Sequence, residues 1–321
     1  MYITGNFDKQ KIDYLRISVT DRCNLGCIYC IPRNGIMHRS HDELLTFEQI
    51  LKLARIFVSL GITKIRLTGG EPLIRKGVVE LLRRLAGLKG VEEVLLTTNG
   101  ILLSSYAEQL KAAGLRRINI SLDTLKEDKF RRITRGGSLH NTLEGIEKAK
   151  EIGLDPVKLN MVVMKGINED EIIDFADFAF SKGVILRYIE LMKVAPLWRE
   201  EYVMPIEEVK GICENAFKLQ RTENPDSGPA EYYEVAGKGL LGYIKTDGYN
   251  CMSCSRLRLT SMGEFKTCLY EPRGLHLKEL LENGGRDDEI REAIKKRLSI
   301  KKTTDYRDWE SSKVCMASVG G

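Results

Sequence analysis

The sequence predicts an α/β protein, an open, partial β/α barrel of six units followed by a C-terminal α+β region. Two observations carry that prediction. Apolar strand-like runs at about 14–19, 64–68, 93–97, 117–122, 157–163 and 185–191 alternate with helix-like stretches, and steady alternation implies a parallel sheet. Six such units are two short of a closed eight-fold barrel, so the barrel stays open and its gap needs a cover. From about 193 to 321 the alternation stops; the expected division is therefore 1–192 for the barrel and 193–321 for the cover.

The individual elements rest on local signals. Thr46 is placed to cap a helix running to Gly61, with Gln49 completing a capping box and Phe47, Ile50, Leu51, Ala54, Phe57 and Val58 forming one apolar stripe. Ser105–Ala113, Asn141–Ile152 and Glu169–Ser181 read as helices, and Gly114, Gly153 and Gly183 stand where a left-handed cap ends them. In the C-terminal region Pro196, Pro205 and Asn224–Pro229 mark loops. Ser261-Met262-Gly263-Glu264 suggests a hairpin, with helices around 275–283 and 287–298.

Bulk properties exclude several classes. The net charge of +5 is spread along the chain without the dense Lys/Arg run that nucleic acid recruits, so no nucleic-acid partner is expected. No apolar stretch approaches the roughly 20 residues of a membrane span. Met1–Asp8 lacks both the basic and the apolar segment of a signal peptide, so a cytoplasmic location is expected. There the 8 Cys read as ligands or thiols, not disulfides.

Those cysteines are grouped. Cys23, Cys27 and Cys30 follow the first strand directly, at the sheet end where α/β proteins bind ligands. Three thiolates can hold three irons of a cubane cluster and leave a fourth iron open; a zinc knuckle completed by His38 or His41 is the alternative. The second group is Cys251, Cys254 and Cys268, where a hairpin would bring Cys268 back; a structural zinc site with His276 is the alternative. Gly69-Gly70-Glu71-Pro72, after the second strand, reads as a tight turn. Thr97–Gly100, Ser121–Asp123 and Glu190–Met192 end strands three, four and six and line one rim.

Cations also occupy strand positions: Arg16, Lys64, Arg66, Lys158 and Arg187. Strands covered on both faces normally read as unbroken apolar runs, so these charges suggest a cavity that holds an anion, with salt bridges to sheet-end carboxylates accounting for some of them. Arg256 and Arg258 share one face of an extended segment.

The Cys-x-x-x-Cys-x-x-Cys loop resembles the signature of the radical S-adenosylmethionine superfamily. That resemblance implies a [4Fe–4S] cluster on Cys23, Cys27 and Cys30, with S-adenosylmethionine contacted by Tyr29, Gly70, Glu71, Ser121 and Met192. The second three-Cys group, Cys254-Ser255-Arg256-Leu257-Arg258 and the Ser318-Val319-Gly320-Gly321 end narrow the resemblance to the GTP 3′,8-cyclase family of molybdenum cofactor biosynthesis. This implies a radical lyase that cyclises GTP to (8S)-3′,8-cyclo-7,8-dihydroguanosine 5′-triphosphate. It further implies a second [4Fe–4S] cluster on Cys251, Cys254 and Cys268, and GTP contacts from Arg16, Arg66, Thr97, Lys158, Arg256 and Arg258. Gly320 and Gly321 would be threaded toward the reaction as catalytic backbone. Guanidinium groups suit the triphosphate because they bind it bidentately. The implied partners are an electron donor of unspecified identity and a downstream cyclic pyranopterin monophosphate synthase; a homodimer is left open. Lys193–Pro196 and Ile31-Pro32 depart from the family pattern. Cys213 reads as a buried small apolar residue, and Cys315 is given no role. A peptide maturase with auxiliary clusters and a zinc-stabilised binding module are the rival readings.

Overall fold

The computed structural model describes residues 12–32, 34–35, 40–193, 195–225, 228–246, 254–301 and 319. Strands β1 (Tyr14–Ser18), β2 (Lys64–Thr68), β3 (Glu93–Thr98), β4 (Ile118–Ser121), β5 (Val157–Val163) and β6 (Ile185–Glu190) pair in chain order, all parallel. Helices α1 (Phe47–Ser59), α2 (Val78–Ala86), α3 (Leu103–Ala112), α4 (Glu127–Thr134), α5 (Leu139–Glu151) and α6 (Ile172–Lys182) form the crossovers. After β6 come α7 (Ile206–Ala216), β7 (Leu219–Thr222), β8 (Glu231–Val235), β9 (Gly239–Ile244), β10 (Arg256–Leu259), β11 (Glu264–Lys266), β12 (Leu275–His276), α8 (Leu277–Glu282) and α9 (Asp287–Lys301).

The expected alternation and its local signals are present. Thr46 Oγ1 accepts from Gln49 N at 3.1 Å and Gln49 Oε1 from Thr46 N at 2.9 Å, the reciprocal capping box that starts α1. Gly183 ends α6 at φ +59°, a conformation an L side chain rarely adopts. The hairpin β10–β11 turns through Gly263 at φ +80°. Phe57 of α1 packs on Phe265 of β11, ring centroids 5.1 Å apart, so helix and hairpin share one core.

Alternation did not reveal how the C-terminal region attaches. It lengthens the sheet at both edges: β9 joins β6 in parallel with β8 and β7 antiparallel beyond it, while β10 joins β1 in parallel with β11 and β12 beyond. The sheet order β12-β11-β10-β1-β2-β3-β4-β5-β6-β9-β8-β7 leaves it open rather than closed. The two faces differ sharply. Leu15, Ile17, Ile65, Leu67, Ile120 and Leu159 are buried under the crossover helices. The residues that alternate with them turn to the concave side, Arg66, Asn119, Lys158 and Arg187 buried and Arg16 half-buried. Among the described residues no helix is long and apolar enough to cross a membrane.

Buried side chains fasten the rim above this concave face. Asn168, fully buried, accepts from Met164 N at 2.7 Å and donates to Asp123 O at 2.8 Å and Val162 O at 2.9 Å, locking the loop after β4 to the end of β5. Replacing it by Ala leaves those backbone groups without partners in the interior, which costs about 1–3 kcal/mol. Urea unfolding of Asn168→Ala should show that loss as a lower midpoint at unchanged slope.

Candidate functional site

The site begins where β1 ends. In the loop that follows, Gly26 N donates to Thr134 O at 2.8 Å and Ile28 N to Ile133 O at 2.9 Å, which seat the cysteine segment on the end of α4. A turn closed by Cys30 N and Ile31 N, both 2.9 Å from Cys27 O, directs the last thiol to the same side. Cys23 Sγ accepts from Leu25 N at 3.4 Å and Asn99 Nδ2 at 3.8 Å. Burial pushes the Cys23 thiol up to about 11, and burial, then Asp123 and the neighbouring cysteines, hold Cys27 well above a thiol's ordinary range. Left alone, these are neutral thiols; iron would deprotonate them as it binds.

The Gly-Gly turn clasps this loop. Gly70 N donates to Thr20 O and Glu71 N to Arg22 O, both at 2.8 Å. A Cβ at Gly70 would lie 2.1 Å from Arg22 O, and one at Gly69 2.6 Å from Thr20 O. The glycines are thus required by backbone approach, beyond the needs of the turn itself. Glu71 is buried beneath them. Its carboxylate accepts from Leu73 N at 3.0 Å, Thr98 Oγ1 at 2.8 Å and Asn99 N at 2.7 Å. Burial raises its pKa to about 7 against those donors. Glu71 therefore joins the loops after β2 and β3. Tyr29 OH donates to Asp123 Oδ2 at 2.8 Å, and Asp123 Oδ1 accepts from Val162 N at 2.9 Å. Burial lifts Asp123 to about 6.

A single cavity collects most of the residues singled out in the sequence. Cys23, Cys27, Cys30, Tyr29, Gly70, Thr97, Ser121, Met192, Arg16, Arg256 and Arg258 line it, with Arg187. A second cavity adjoins it, lined by Cys254, Cys268 and Lys301, and Met192, Arg256 and Arg258 face both. Cys251, Gly320 and Gly321 lie outside the described residues, as do His38 and Cys315. Two predicted substrate contacts are held by neighbouring side chains. Arg66 bonds Tyr14 OH, Leu96 O at 3.1 Å and Thr97 Oγ1 at 3.2 Å, so it braces Thr97. Lys158 lies over the Tyr232 ring with its Nζ 3.2 Å from the hydroxyl. Lys64 pairs with Asp13 at 3.6 Å and is explained by that ion pair.

The arginines crowd one another. Register places Arg258 of β10 beside Arg16 of β1, and Arg16 beside Arg66 of β2. Burial, then Arg258, holds Arg16 well below its ordinary pKa, and burial, then Arg256, pulls Arg258 down to about 10. Like charges on neighbouring strands repel, so this row is suited to an anion.

The first cysteine set fits iron–sulfur ligation, since its three thiols line one cavity. Among the described residues no three His, Cys, Asp or Glu side chains close on one point that an ion would occupy. His41 is exposed, and His276 is half exposed beside Glu279, away from the second cavity. At the second site burial would raise Cys254, but Arg256 and Lys301 outweigh it and hold the thiol below its ordinary value. Sequence reasoning missed Asn119 and Asn160, which line the first cavity, and Lys301. The two asparagines had a signal, since each shares the in-facing period of a neighbouring strand. Lys301 had none.

An open parallel sheet with a three-cysteine loop after its first strand defines a radical S-adenosylmethionine protein, and residues 17–179 match the Radical SAM superfamily. Residues 184–306 match Molybdenum Cofactor Synthesis C. The sequence is 48% identical over 301 residues to a GTP 3′,8-cyclase of Thermodesulfovibrio yellowstonii, covering 92% of this chain and 93% of that one. It is 43% identical over 321 residues to one of Syntrophomonas wolfei, covering 98% of each. The chain belongs to the GTP 3′,8-cyclase family of radical S-adenosylmethionine enzymes. The superfamily implies a [4Fe–4S] cluster and S-adenosylmethionine. A structure of Streptococcus suis SuiB bound to S-adenosylmethionine shares the fold at 15% identity, with a TM-score of 0.60 over 88% of this chain and 67% of that one.

The clasp yields a test. Gly70→Ala drives a methyl group into Arg22 O and should part the two loops. After anaerobic reconstitution the variant should lose most first-site iron. Gly211→Ala, on a helix with open space around its Cα, should keep it.

Proposed function

We propose that this chain performs the reaction of its family, cyclising GTP between C3′ and C8, the entry step to molybdenum cofactor. The observation that carries this is the continuity of two cysteine-lined cavities across a wall of arginines. Cys23, Cys27 and Cys30 would hold the first [4Fe–4S] cluster, and Cys251, Cys254 and Cys268 a second that receives the guanine base. With S-adenosylmethionine bound, the first cluster supplies one-electron cleavage and hence an organic radical able to take hydrogen from an unactivated carbon.

The protein's own groups supply position and charge. Arg16, Arg256 and Arg258 face the cavity and bind the triphosphate, whose charge relieves their mutual repulsion. Arg66, Thr97 and Lys158, on the same face, add further GTP contacts, Arg66 bonded to Thr97. Tyr29, held by Asp123, and the turn at Gly70 and Glu71 set the S-adenosylmethionine side, with Ser121 and Met192 along the rim. Val319 is buried, and its carbonyl accepts from Arg258 Nη1 at 3.3 Å, which supports a Gly320-Gly321 tail directed at the reacting nucleotide. Barrel and C-terminal region divide these duties near residue 192. The reaction further needs a reductant and a downstream consumer of the cyclised nucleotide, in the cytoplasm.

Reconstituted anaerobically with reductant, the protein should form 5′-deoxyadenosine from S-adenosylmethionine in a GTP-stimulated manner. No stimulation by GTP would sink the substrate assignment. A bidentate guanidinium–phosphate contact contributes about 1.5–3 kcal/mol, so Arg258→Ala should weaken GTP about ten- to a hundredfold by calorimetry and leave S-adenosylmethionine binding unchanged. Arg66→Ala should weaken GTP by a similar factor, about ten- to a hundredfold, and also leave S-adenosylmethionine binding nearly unchanged. Removing Gly320 and Gly321 should spare GTP affinity and reduce product.

A further inference from the structure

The last residue of α9 occupies an unusual place. Lys301, 8% exposed, donates from Nζ to Arg256 O at 2.6 Å and to Thr267 O at 2.9 Å, and the same nitrogen lies 4.0 Å from Cys254 Sγ. Arg256 is two residues after Cys254, and Thr267 immediately precedes Cys268. One ammonium thus bridges the two chain segments that present those thiols, and its three N–H groups are spent on two carbonyls and a sulfur.

A neighbouring contact repeats the theme one helical turn earlier. Arg297, on the same face of α9, pairs with Glu271. Glu271, fully buried, accepts from Thr267 N at 2.6 Å and Thr267 Oγ1 at 3.0 Å. The end of α9 is therefore fitted to the Cys268 loop at two points, and only Lys301 also reaches Cys254.

We propose that Lys301 is a positioning residue for the second iron–sulfur site: it straps the segments carrying Cys254 and Cys268 together and sets a fixed positive charge against the Cys254 sulfur. The proposal rests on the reading that Cys251, Cys254 and Cys268 hold a cluster. A cation beside thiolate ligands favours their charged form and favours the more negative, reduced cluster over the oxidised one. Loss of such an outer partner typically costs about 10–100-fold in metal affinity.

The test uses the full chain in two backgrounds. With Cys23→Ser, Cys27→Ser and Cys30→Ser, only the second site holds iron; with Cys251→Ser, Cys254→Ser and Cys268→Ser, only the first does. In the former, Lys301→Met should release iron to a chelator about 10–100-fold faster and shift the cluster's midpoint to more negative potential. Lys301→Arg, which keeps the charge, should restore most of the potential. In the latter background Lys301→Met should change neither quantity. Unchanged release and potential at the second site would overturn the proposal, and so would equal losses in both backgrounds, which would mark a general folding role. If the second-site protein with Lys301 intact binds no iron, the second-cluster reading itself fails and the strap falls with it.

Discussion

The structure depends on a repulsion. Parallel register aligns Arg258, Arg16 and Arg66 across three neighbouring strands, on a buried face, where each guanidinium raises the cost of its neighbours. A fold does not gather such charge for stability, because an apolar residue at each position would pack without penalty. The row is tolerable because Arg66 is spread over a phenol, a carbonyl and a hydroxyl, and because the open side of the sheet admits water or a polyanion. The remaining elements can be read as a frame for this face. Apolar residues on the reverse of the same strands bind the helices firmly enough to carry it.

Above the arginines, the loops after β1, β2 and β3 form one interlocked rim. The backbone of Gly69–Glu71 lies against that of Thr20–Arg22, and the buried Glu71 carboxylate gathers amides and a hydroxyl from its own turn and from Thr98–Asn99. Asn99 in turn reaches Cys23. The cysteine loop is thereby fixed relative to the sheet chiefly by backbone hydrogen bonds. Pre-organisation of this kind matters where a reactive species must meet one hydrogen atom of a bound nucleotide.

The two cysteine sets sit in opposite surroundings. Cys23 and Cys27 are half-buried near Glu71 and Asp123, and desolvation and those carboxylates both keep their thiols protonated. Cys254 is equally enclosed, yet Arg256 and Lys301 outweigh burial. A cluster on the first set has a neutral to acidic setting, whereas the surroundings of Cys254 are basic and continue into the arginine wall. That asymmetry follows from which strand each set ends or begins. The first ends β1 and faces the rim carboxylates; the second leads into β10, where the arginines lie.

Much of this was legible in the amino-acid order. All six barrel strands, the capping box at Thr46, the glycine that ends α6 and the hairpin at Gly263 follow from local period and local capping, because they depend on neighbours a few residues away. The Cys loop and the Gly-Gly turn were also legible, since their chemistry is written in contiguous residues. Tertiary structure alone decided the rest. That β9 and β10 extend the sheet in parallel at opposite edges depends on pairing across more than 50 and 240 residues respectively, which leaves no local trace. Strand alternation put Arg66 and Lys158 on the concave face. Which partners they take, Thr97 for Arg66 and Tyr232 for Lys158, was decided by the assembled sheet. Lys301 reads in sequence as an ordinary helix-terminal lysine; only the packing of α9 on the β10–β11 hairpin brings its ammonium to Cys254.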